Sequence, residues 1–378
     1  MRLQPFGLER YFARHEFSVR HNLAASDVQG LALTELLALA DEETAALWSR
    51  LTLGYTESAG LPLLRQEIAD LDDLDVDDVI VCAGAEEAIF LTMHALVEPG
   101  DHAVVVWPAY QSLHEVARSI GAAVSLVELR HEEGWQLDVA EVQSAMRPET
   151  RVVAINFPHN PTGAQLPQAE LLALVALCEA RGITLLSDEV YRFLEHDPRD
   201  MLPAAASLGE RSASIGVMSK SFALAGLRIG WIATRDAALR ERVAALKDYT
   251  TICSAAPSEV LALMALRARA TILERSRTIV QANMVKFGEL VGRHADHMEW
   301  VPPRAGAVAF PRLRDAEADL EGWIDQLIAS EGVLLLPGTL FGSPGPHFRI
   351  GLGRTDGLAA LECLDKNVRH SLCDPMGA

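Results

Sequence analysis

Runs of apolar, β-branched residues alternate with helical segments along the first half of the chain, and no other feature constrains the fold as much. The runs lie at residues 79–82, 103–107, 123–129, 152–155 and 183–186. Strands that are apolar without interruption are typical of sheets buried on both faces, where helices connect the strands. The sequence therefore predicts an α/β fold, with a large domain built on a mostly parallel sheet that helices cover.

With 378 residues, the chain is long enough to form two domains. Its last quarter differs in pattern, because short predicted strands alternate there with two predicted helices. These strands lie at residues 300–301, 307–310, 333–336 and 347–352. We predict a large domain at residues 41–284. A smaller α/β domain is expected to combine the N-terminal segment, 1–40, with residues 285–378.

The net charge of the chain is strongly negative, at −19. This charge argues against nucleic-acid and anionic-membrane partners. No uncharged apolar run approaches the ~20 residues that span a bilayer, so no membrane segment is expected. The first residues carry charges throughout, and we expect no signal peptide.

Two local patterns give further predictions. The acidic run at residues 72–78 is expected to form a solvated loop. Apolar residues at helical spacing predict a helix that runs through residues 36–40.

Cysteine and histidine usage indicates a reducing compartment and no bound metal. The five cysteines are scattered without a CxxC pair, at positions 82, 178, 253, 363 and 373. Scattered, unpaired cysteines are typical of cytoplasmic proteins, and we predict that location. The twelve histidines show no spacing typical of metal ligands, so no metal site is predicted.

Small or polar residues follow several of the predicted strands directly. Gly84, Tyr110, Asn160 and Asp188 each come shortly after a different strand. In open α/β sheets, ligands bind at the carboxyl ends of the strands. The sequence therefore predicts a binding site at this edge of the sheet.

Lys220 lies in an apolar segment between two serines, and Arg228 follows eight positions later. Burial lowers the pKa of a lysine, and a deprotonated lysine can form a Schiff base with a carbonyl cofactor. Taken alone, Lys220 is better interpreted as an exposed lysine at a strand end, because most lysines are exposed. The two interpretations are separated only by the rest of the chain.

Three motifs occur together in one order: NFPHNPTG at residues 156–163, SDEVY at 187–191 and SK-x(7)-R at 219–228. Jointly they resemble the class I/II aminotransferases of the aspartate aminotransferase superfamily, over about residues 23–364. The resemblance implies fold type I, with pyridoxal 5′-phosphate (PLP) as cofactor in the large domain on a seven-stranded type of sheet. It also implies a homodimer with shared active sites.

The resemblance assigns roles around the cofactor ring. Lys220 is expected to hold PLP as a Schiff base and to move the substrate's α-proton, and Asp188 to pair with the pyridinium nitrogen. Asn160 and Tyr191 are expected to hydrogen-bond the ring oxygen, and Tyr110 to stack on the ring. The alternative for Asp188 is a helix-capping residue, which its spacing to Tyr191 disfavours.

A strand, a turn of small residues and a helix at residues 79–89 offer backbone N–H groups to an anion. By resemblance, the anion is the cofactor phosphate, and the amides of Ala85 and Glu86 are the candidates. Ser219 and Arg228 are expected to hold the same phosphate. Tyr55 is expected to reach it from the partner subunit, although a packed aromatic residue is the alternative for Tyr55.

The resemblance also implies a substrate site. Arg349 matches the position of an arginine that binds the substrate's α-carboxylate, and a guanidinium suits two parallel hydrogen bonds to a carboxylate. Asn160 is expected to contact the same carboxylate. Backbone N–H groups near Gly30 are further candidates.

Two departures from the family pattern leave the reaction open. Val217 stands where many relatives have a phosphate-binding serine, which Ser221 or Thr251 could replace, and no E-x-P pattern follows Asn22. The second departure resembles the branch that contains capreomycidine synthase. The leading hypothesis is an aminotransferase that moves the amino group of an L-α-amino acid to a 2-oxo acid.

The alternative is a PLP-dependent lyase or cyclase that acts on a modified amino acid. A third hypothesis, a non-catalytic regulator with this fold, is disfavoured because the lysine, aspartate, asparagine and arginine named above are all present.

Overall fold

The computed structural model of the chain describes residues 3–343 and 345–370. Cys373 and the last residues of the predicted small domain lie outside them. The described strands are β1 (His21–Asn22), β2 (Val79–Cys82), β3 (His102–Trp107), β4 (Ala123–Glu128), β5 (Thr150–Asn156), β6 (Thr184–Asp188), β7 (Ser212–Val217), β8 (Gly230–Thr234), β9 (Met298–Glu299), β10 (Val308–Ala309), β11 (Arg312–Leu313), β12 (Val333–Leu334), β13 (Leu336–Pro337) and β14 (Phe348–Gly351). The described α-helices are α1 (Gly7–His15), α2 (Leu33–Leu37), α3 (Glu42–Ser49), α4 (Pro62–Ala69), α5 (Ala85–Leu96), α6 (Ser112–Ile120), α7 (Val139–Ala145), α8 (Gln168–Arg181), α9 (Ala205–Leu208), α10 (Ala237–Lys247), α11 (Ala256–Arg267), α12 (Arg269–Arg293), α13 (Leu320–Glu331) and α14 (Gly357–Val368).

Seven strands form the central sheet, in the order β2-β8-β7-β6-β5-β3-β4. β8 runs antiparallel to both of its neighbours, and the other pairs are parallel. The predicted α/β fold with a mostly parallel sheet is therefore confirmed. Because most of the strands are parallel, β5, β6 and β7 present their carboxyl ends at one edge of the sheet.

The apolar strands supply side chains to both faces of the sheet. In β5, Val153 and Ile155 join one hydrophobic core, while Val152 and Ala154 join the core on the opposite face. This follows from the two-residue period of a strand, since successive side chains point to opposite faces. Helices cover both cores, as the uninterrupted apolar runs predict. None of the helices in the described residues is long and apolar enough to cross a membrane.

The smaller α/β part combines short strands with α12, α13 and α14. β14 pairs antiparallel with β10 and β13, and β9 pairs antiparallel with β11. β1 runs parallel to β12, with His21 opposite Val333. The N-terminal segment therefore packs with the C-terminal part of the chain. The domain boundaries at residues 41 and 285 stay a prediction.

Three local predictions were wrong. The strand predicted at residues 300–301 lies two residues earlier, as β9, because the prolines that follow cannot donate backbone hydrogen bonds. α2 ends at Leu37, before two residues that were assigned to it. The acidic run at residues 72–78 is not solvated throughout, since Asp72 and Asp78 form partly buried ion pairs with arginines.

Candidate active site

A cavity of about 380 Å³ opens at the carboxyl edge of the central sheet. It collects most of the residues that the sequence assigns to the site. Those that line it are Ala85, Glu86, Tyr110, Asn160, Asp188, Ser219, Lys220, Arg228 and Arg349. Strand ends place the central members: Asp188 is the last residue of β6, and Lys220 follows β7 by three positions. The parallel arrangement brings these two residues to one place although 32 positions of the sequence separate them.

Lys220 points its amino group into this cavity. Its Nζ donates a hydrogen bond to Ser26 Oγ at 2.8 Å and lies 6.0 Å from the centre of the Tyr191 ring. Burial lowers the pKa of Lys220, and the positive charge of Arg349 acts in the same direction. A lysine in this environment loses its proton more readily than one in water, which is what a nucleophile and proton carrier requires.

Asp188 is a buried carboxylic acid without a cationic partner in the described structure. Its Oδ1 accepts a hydrogen bond from the backbone N–H of Val190 at 3.3 Å. Burial raises the pKa of Asp188 to about 7, and the charge of Lys220 opposes this rise. A cationic group that entered the cavity next to Asp188 would stabilise the carboxylate.

Arg349 is 1% exposed and forms no ion pair with any carboxylate of the described residues. Its guanidinium donates to Asn160 Oδ1 at 3.0 Å and to the carbonyl of Ala24 at 2.6 Å. Its Nε is buried with no hydrogen-bond partner. A buried guanidinium N–H group without an acceptor costs free energy, and a carboxylate is an acceptor that suits the geometry of the guanidinium.

The N-terminus of α5 lies close to Arg228, and together they could hold an anion. A Cβ atom on Gly84 would lie 2.6 Å from Nη2 of Arg228, and one on Gly230 would lie 2.9 Å from the backbone N of Ala85. Both glycines therefore permit a close approach that no other residue allows. Backbone N–H groups, the positive end of a helix, a serine hydroxyl at Ser219 and a guanidinium converge there, as a phosphate requires.

Neither candidate for the missing serine contact lines this cavity. Ser221 Oγ donates to the backbone carbonyl of Arg192. Thr251 Oγ1 donates to Glu87 Oε1 at 2.8 Å. Both hydroxyl groups are therefore engaged elsewhere, and Val217 itself lines the cavity.

Three predicted site residues lie outside the cavity lining. Tyr191 is buried next to it, and its hydroxyl donates to the backbone carbonyl of Ser26 at 2.7 Å. Tyr55 is 89% exposed in the single chain. Gly30 lines a different, smaller cavity, because the N–H of Leu31 donates to the carbonyl of Ala223 at 3.3 Å. The role of Gly30 stays a prediction, and the same loop reaches the cavity earlier, through Ala25, Ser26 and Asp27.

α1 covers the cavity, and the site residues predicted from the sequence include none of its members. Leu8, Glu9, Phe12 and Glu16 all line it. Contacts with α6 and the small domain hold the helix there: the N–H of Gly7 donates to Gln111 Oε1, and the Tyr11 hydroxyl to the carbonyl of Leu335. The spacing of the four residues at one helix face was a usable signal, since positions three, four and seven apart share a face.

The family model for class I and II aminotransferases matches residues 20–360 of the chain. The chain belongs to this family.

Two relatives of known activity are similar over most of the aminotransferase chain. An arginine–pyruvate transaminase of Pseudomonas aeruginosa is 32% identical over 306 residues, which cover 79% of this chain and 77% of that protein. Capreomycidine synthase of Streptomyces vinaceus is 32% identical over 352 residues, which cover 91% and 88%.

Two solved structures resemble the aminotransferase fold closely. A PLP-dependent aminotransferase from Streptococcus suis superposes with a TM-score of 0.91 at 29% identity, and the match covers 98% of both chains. The PLP-dependent cyclase OrfR superposes with a TM-score of 0.90 at 29% identity, again over 98% of both. The predicted family, fold and PLP dependence are therefore confirmed.

The residues of the cavity fit PLP. The unpaired carboxyl of Asp188 suits a pyridinium nitrogen, the amine of Lys220 suits the aldehyde, and the cradle of Gly84, Gly230 and Arg228 suits a phosphate. The unpartnered Nε of Arg349 is left for a second anion, as a substrate carboxylate would supply.

Proposed function

We propose that this aminotransferase moves the amino group of an L-α-amino acid to a 2-oxo acid, with Lys220 as the reactive amine. The convergence of Lys220, Asp188 and Arg349 on one cavity supports this proposal most strongly. The three side chains provide a nucleophile, a partner for a cationic ring and a partner for a carboxylate. These are the groups that an amino acid and PLP require together.

The phosphate of PLP is held, in this proposal, by the backbone N–H groups of Ala85 and Glu86, the hydroxyl of Ser219 and the guanidinium of Arg228. The side chain of Glu86 also lines the cavity, where burial raises the pKa of its carboxyl to about 7 and the charge of Arg228 opposes this rise. Tyr55 would complete the phosphate site from the partner subunit of a homodimer. Its exposure in the single chain leaves it free for this contact.

Asp188 orients the ring and keeps a proton on its nitrogen. Bound PLP supplies an electron sink for the electrons that remain when the substrate loses its α-proton. A protonated ring nitrogen accepts these electrons best, and the buried carboxylate of Asp188 stabilises that proton. Tyr110 packs against the ring, and Asn160 and Tyr191 position its oxygen.

Lys220 carries the proton between carbon atoms. When it is not attached to the cofactor, the Lys220 amine would accept the α-proton of the substrate and return it at another position. Its lowered pKa favours the neutral form that can accept a proton. Ser26 Oγ, 2.8 Å from Nζ, holds the amine in the cavity.

Arg349 fixes the α-carboxylate of the substrate through its fork of N–H groups. Asn160 already accepts a hydrogen bond from the same guanidinium, which holds the fork in place. The substrate's Cα is thereby held near Lys220, because both residues line the same cavity.

A lyase or cyclase reaction is the second candidate. It is supported by capreomycidine synthase, which matches a longer part of this chain than the arginine–pyruvate transaminase does, and by the close superposition of OrfR. Both reactions begin with removal of the α-proton, and they differ in where electrons and protons go afterwards.

The test is an amino-donor panel with pyruvate as acceptor, in which oxo acid, alanine and ammonia are measured together. Transamination predicts oxo acid and alanine in equal amounts and no ammonia. Ammonia release, or a cyclised product without alanine, would replace the proposal with the lyase or cyclase reaction.

A second test concerns the lysine. Borohydride treatment of the holoenzyme should fix the cofactor to Lys220, as mass spectrometry of its peptides would show. Lys220→Ala should abolish both the adduct and turnover, whereas Lys366→Ala removes a lysine that is 64% exposed and should leave both unchanged. An unaltered adduct in the Lys220→Ala variant would disprove the assignment. The homodimer and the cytoplasmic location stay predictions.

A further inference from the structure

If the proposed function holds, the lining of the cavity divides into two parts. The inference from this division rests on the proposed function. The strand ends and Arg349 hold the reacting groups of an amino acid. The remaining part is formed by α1 and the loop after β1, and its charged members are Glu9, Glu16 and Asp27. A substrate whose carboxylate and amino group are fixed by Arg349 and Lys220 must direct its side chain towards this remaining part.

Carboxylates dominate this part of the cavity. The cations of the lining are Lys220, Arg228 and Arg349, and the proposed function engages all of them. Of the carboxylates, Glu9 accepts a hydrogen bond from the Tyr110 hydroxyl at 2.8 Å.

The other two carboxylates differ in their partners. Asp27 pairs with Arg354 at 2.7 Å, whereas Glu16 forms no side-chain hydrogen bond or ion pair with any residue the structure describes. Burial raises the pKa of Glu16, and the negative charge of Asp27 raises it further. Two carboxylates that repel each other at one wall would be stabilised by a cation between them.

Along α1, the two glutamates of this wall are separated by an apolar residue. Glu9, Phe12 and Glu16 lie on one face of the helix, and Glu16 still has helical backbone angles as the C-cap residue. Seven residues of helix advance by about 10.5 Å, so the two glutamates stand apart along the wall with Phe12 between them. A side chain with several methylene groups and a cationic end matches that order of surfaces.

We propose that the substrate is an α-amino acid whose side chain ends in a guanidinium or ammonium group, which Glu16 binds with help from Asp27. A second, independent observation points to the same ligand, because the buried Nε of Arg349 lines the cavity without a partner and indicates a carboxylate at the other end. The wall disfavours acidic side chains, since a like charge there would be repelled.

Matched pairs of ligands test the proposal on the holoenzyme. L-Arginine and L-citrulline have nearly the same shape but differ in the charge of the side-chain end. L-Lysine and L-norleucine also differ in the charge of the side-chain end. We expect kcat/KM to be about 10- to 100-fold higher for the cationic member of each pair, because a hydrogen bond to a charged group provides a preference of this size. Calorimetric binding of 5-guanidinopentanoate against 5-ureidopentanoate, which lack the amino group, reports the same preference without turnover.

Variants locate the preference. Glu16→Gln should reduce the arginine-to-citrulline ratio by about tenfold and weaken 5-guanidinopentanoate binding similarly. Glu241→Gln removes the same charge from an exposed position of α10 outside the cavity and should leave the ratio unchanged.

The outcomes separate the inference from the proposed function. Equal use of charged and neutral partners, or a preference for glutamate, would overturn the inference while transamination stands. If the protein bound 5-guanidinopentanoate more tightly than 5-ureidopentanoate but transferred no amino group, the inference would stand and the proposed reaction would be refuted. A ratio unaltered in the Glu16→Gln variant would refute the role of this residue.

Discussion

Asp188 and Glu189 are consecutive buried residues at the end of β6, yet their carboxyl groups lie in two different regions. Asp188 lines the active-site cavity, where the N–H of Val190 is its hydrogen-bond donor. Glu189 accepts hydrogen bonds from the N–H of Ala205 and from Ser214 Oγ, both at 2.8 Å. The first carboxyl group has no cationic partner within the described chain, and the second also pairs with Arg192 at 3.3 Å.

The same contrast holds for two arginines. Arg192, with a side chain 11% exposed, donates to both carboxylate oxygens of Asp72, at 2.6 and 2.9 Å. We call Asp72, Glu189 and Arg192 the ion cluster. Arg349 is more deeply buried than Arg192, but no described carboxylate reaches it. A buried charge alone therefore does not distinguish the active site from the ion cluster. The charged groups of the active site differ because the described chain supplies no partner of opposite charge, and a ligand would supply it.

The largest effect that would test this contrast is loss of the cation in the ion cluster. Arg192→Ala leaves two carboxylates buried without a counter-ion, and we expect the free energy of unfolding to fall by about 3–5 kcal/mol. Urea denaturation with a constant m-value measures it. Arg211→Ala removes an exposed arginine and should change the free energy by less than about 0.5 kcal/mol. A loss below about 1 kcal/mol for Arg192→Ala would mean that the ion cluster is not structural.

Arg349→Ala should show the opposite distribution of effects. We expect substrate binding to weaken by about 2–5 kcal/mol, because the substrate carboxylate is left buried without its cation. The free energy of unfolding should fall by less than for Arg192→Ala, since no carboxylate of the chain loses a partner. The measurements are KM for the amino donor and urea denaturation. Equal turnover of the donor and of the corresponding amine without a carboxylate, in the unaltered enzyme, would contradict this role for Arg349.

The sequence predicted one side of the cavity far better than the other. Asp188, Asn160 and Lys220 follow predicted strands, and the parallel sheet brings strand ends together regardless of distant contacts. Glu9 and Glu16 were missed because contacts between distant residues place their helix, such as the bond from the N–H of Gly7 to Gln111. The periodicity of α1 was readable, but the surface that it covers was not.

The ion cluster shows the same limit. The acidic run at residues 72–78 was interpreted as a solvated loop, which is the usual environment of such a run. Asp72 and Asp78 are instead paired with Arg192 and Arg240, which lie 120 and 162 positions away. A charge pattern predicts local solvation, but it does not report a partner that only the tertiary fold supplies.

A third effect, the smallest of the three when expressed per pH unit, separates Asp188 from the ion cluster by its pH dependence. In the cofactor-free protein, burial raises the pKa of Asp188 to about 7, whereas an unfolded aspartate has a pKa of about 3.9. Between these values the folded state binds more protons than the unfolded state, so the contribution of Asp188 to stability is full below about pH 4 and is lost as the pH rises towards 7. The slope is at most about 1.4 kcal/mol per pH unit.

Asp188→Asn cannot titrate, and the variant should lose this part of the slope when the free energy of unfolding is measured between about pH 4.5 and 7. With PLP bound, a cationic ring next to Asp188 lowers its pKa, so the difference between the two proteins should shrink or reverse. If the free energy of unfolding changed with pH in the same way in the cofactor-free wild type and in the Asp188→Asn variant, the Asp188 carboxyl would have to lie in solvent or next to a cation of the chain. Asp188 would then belong with Glu189, whose charge the chain itself neutralises, and not with Arg349.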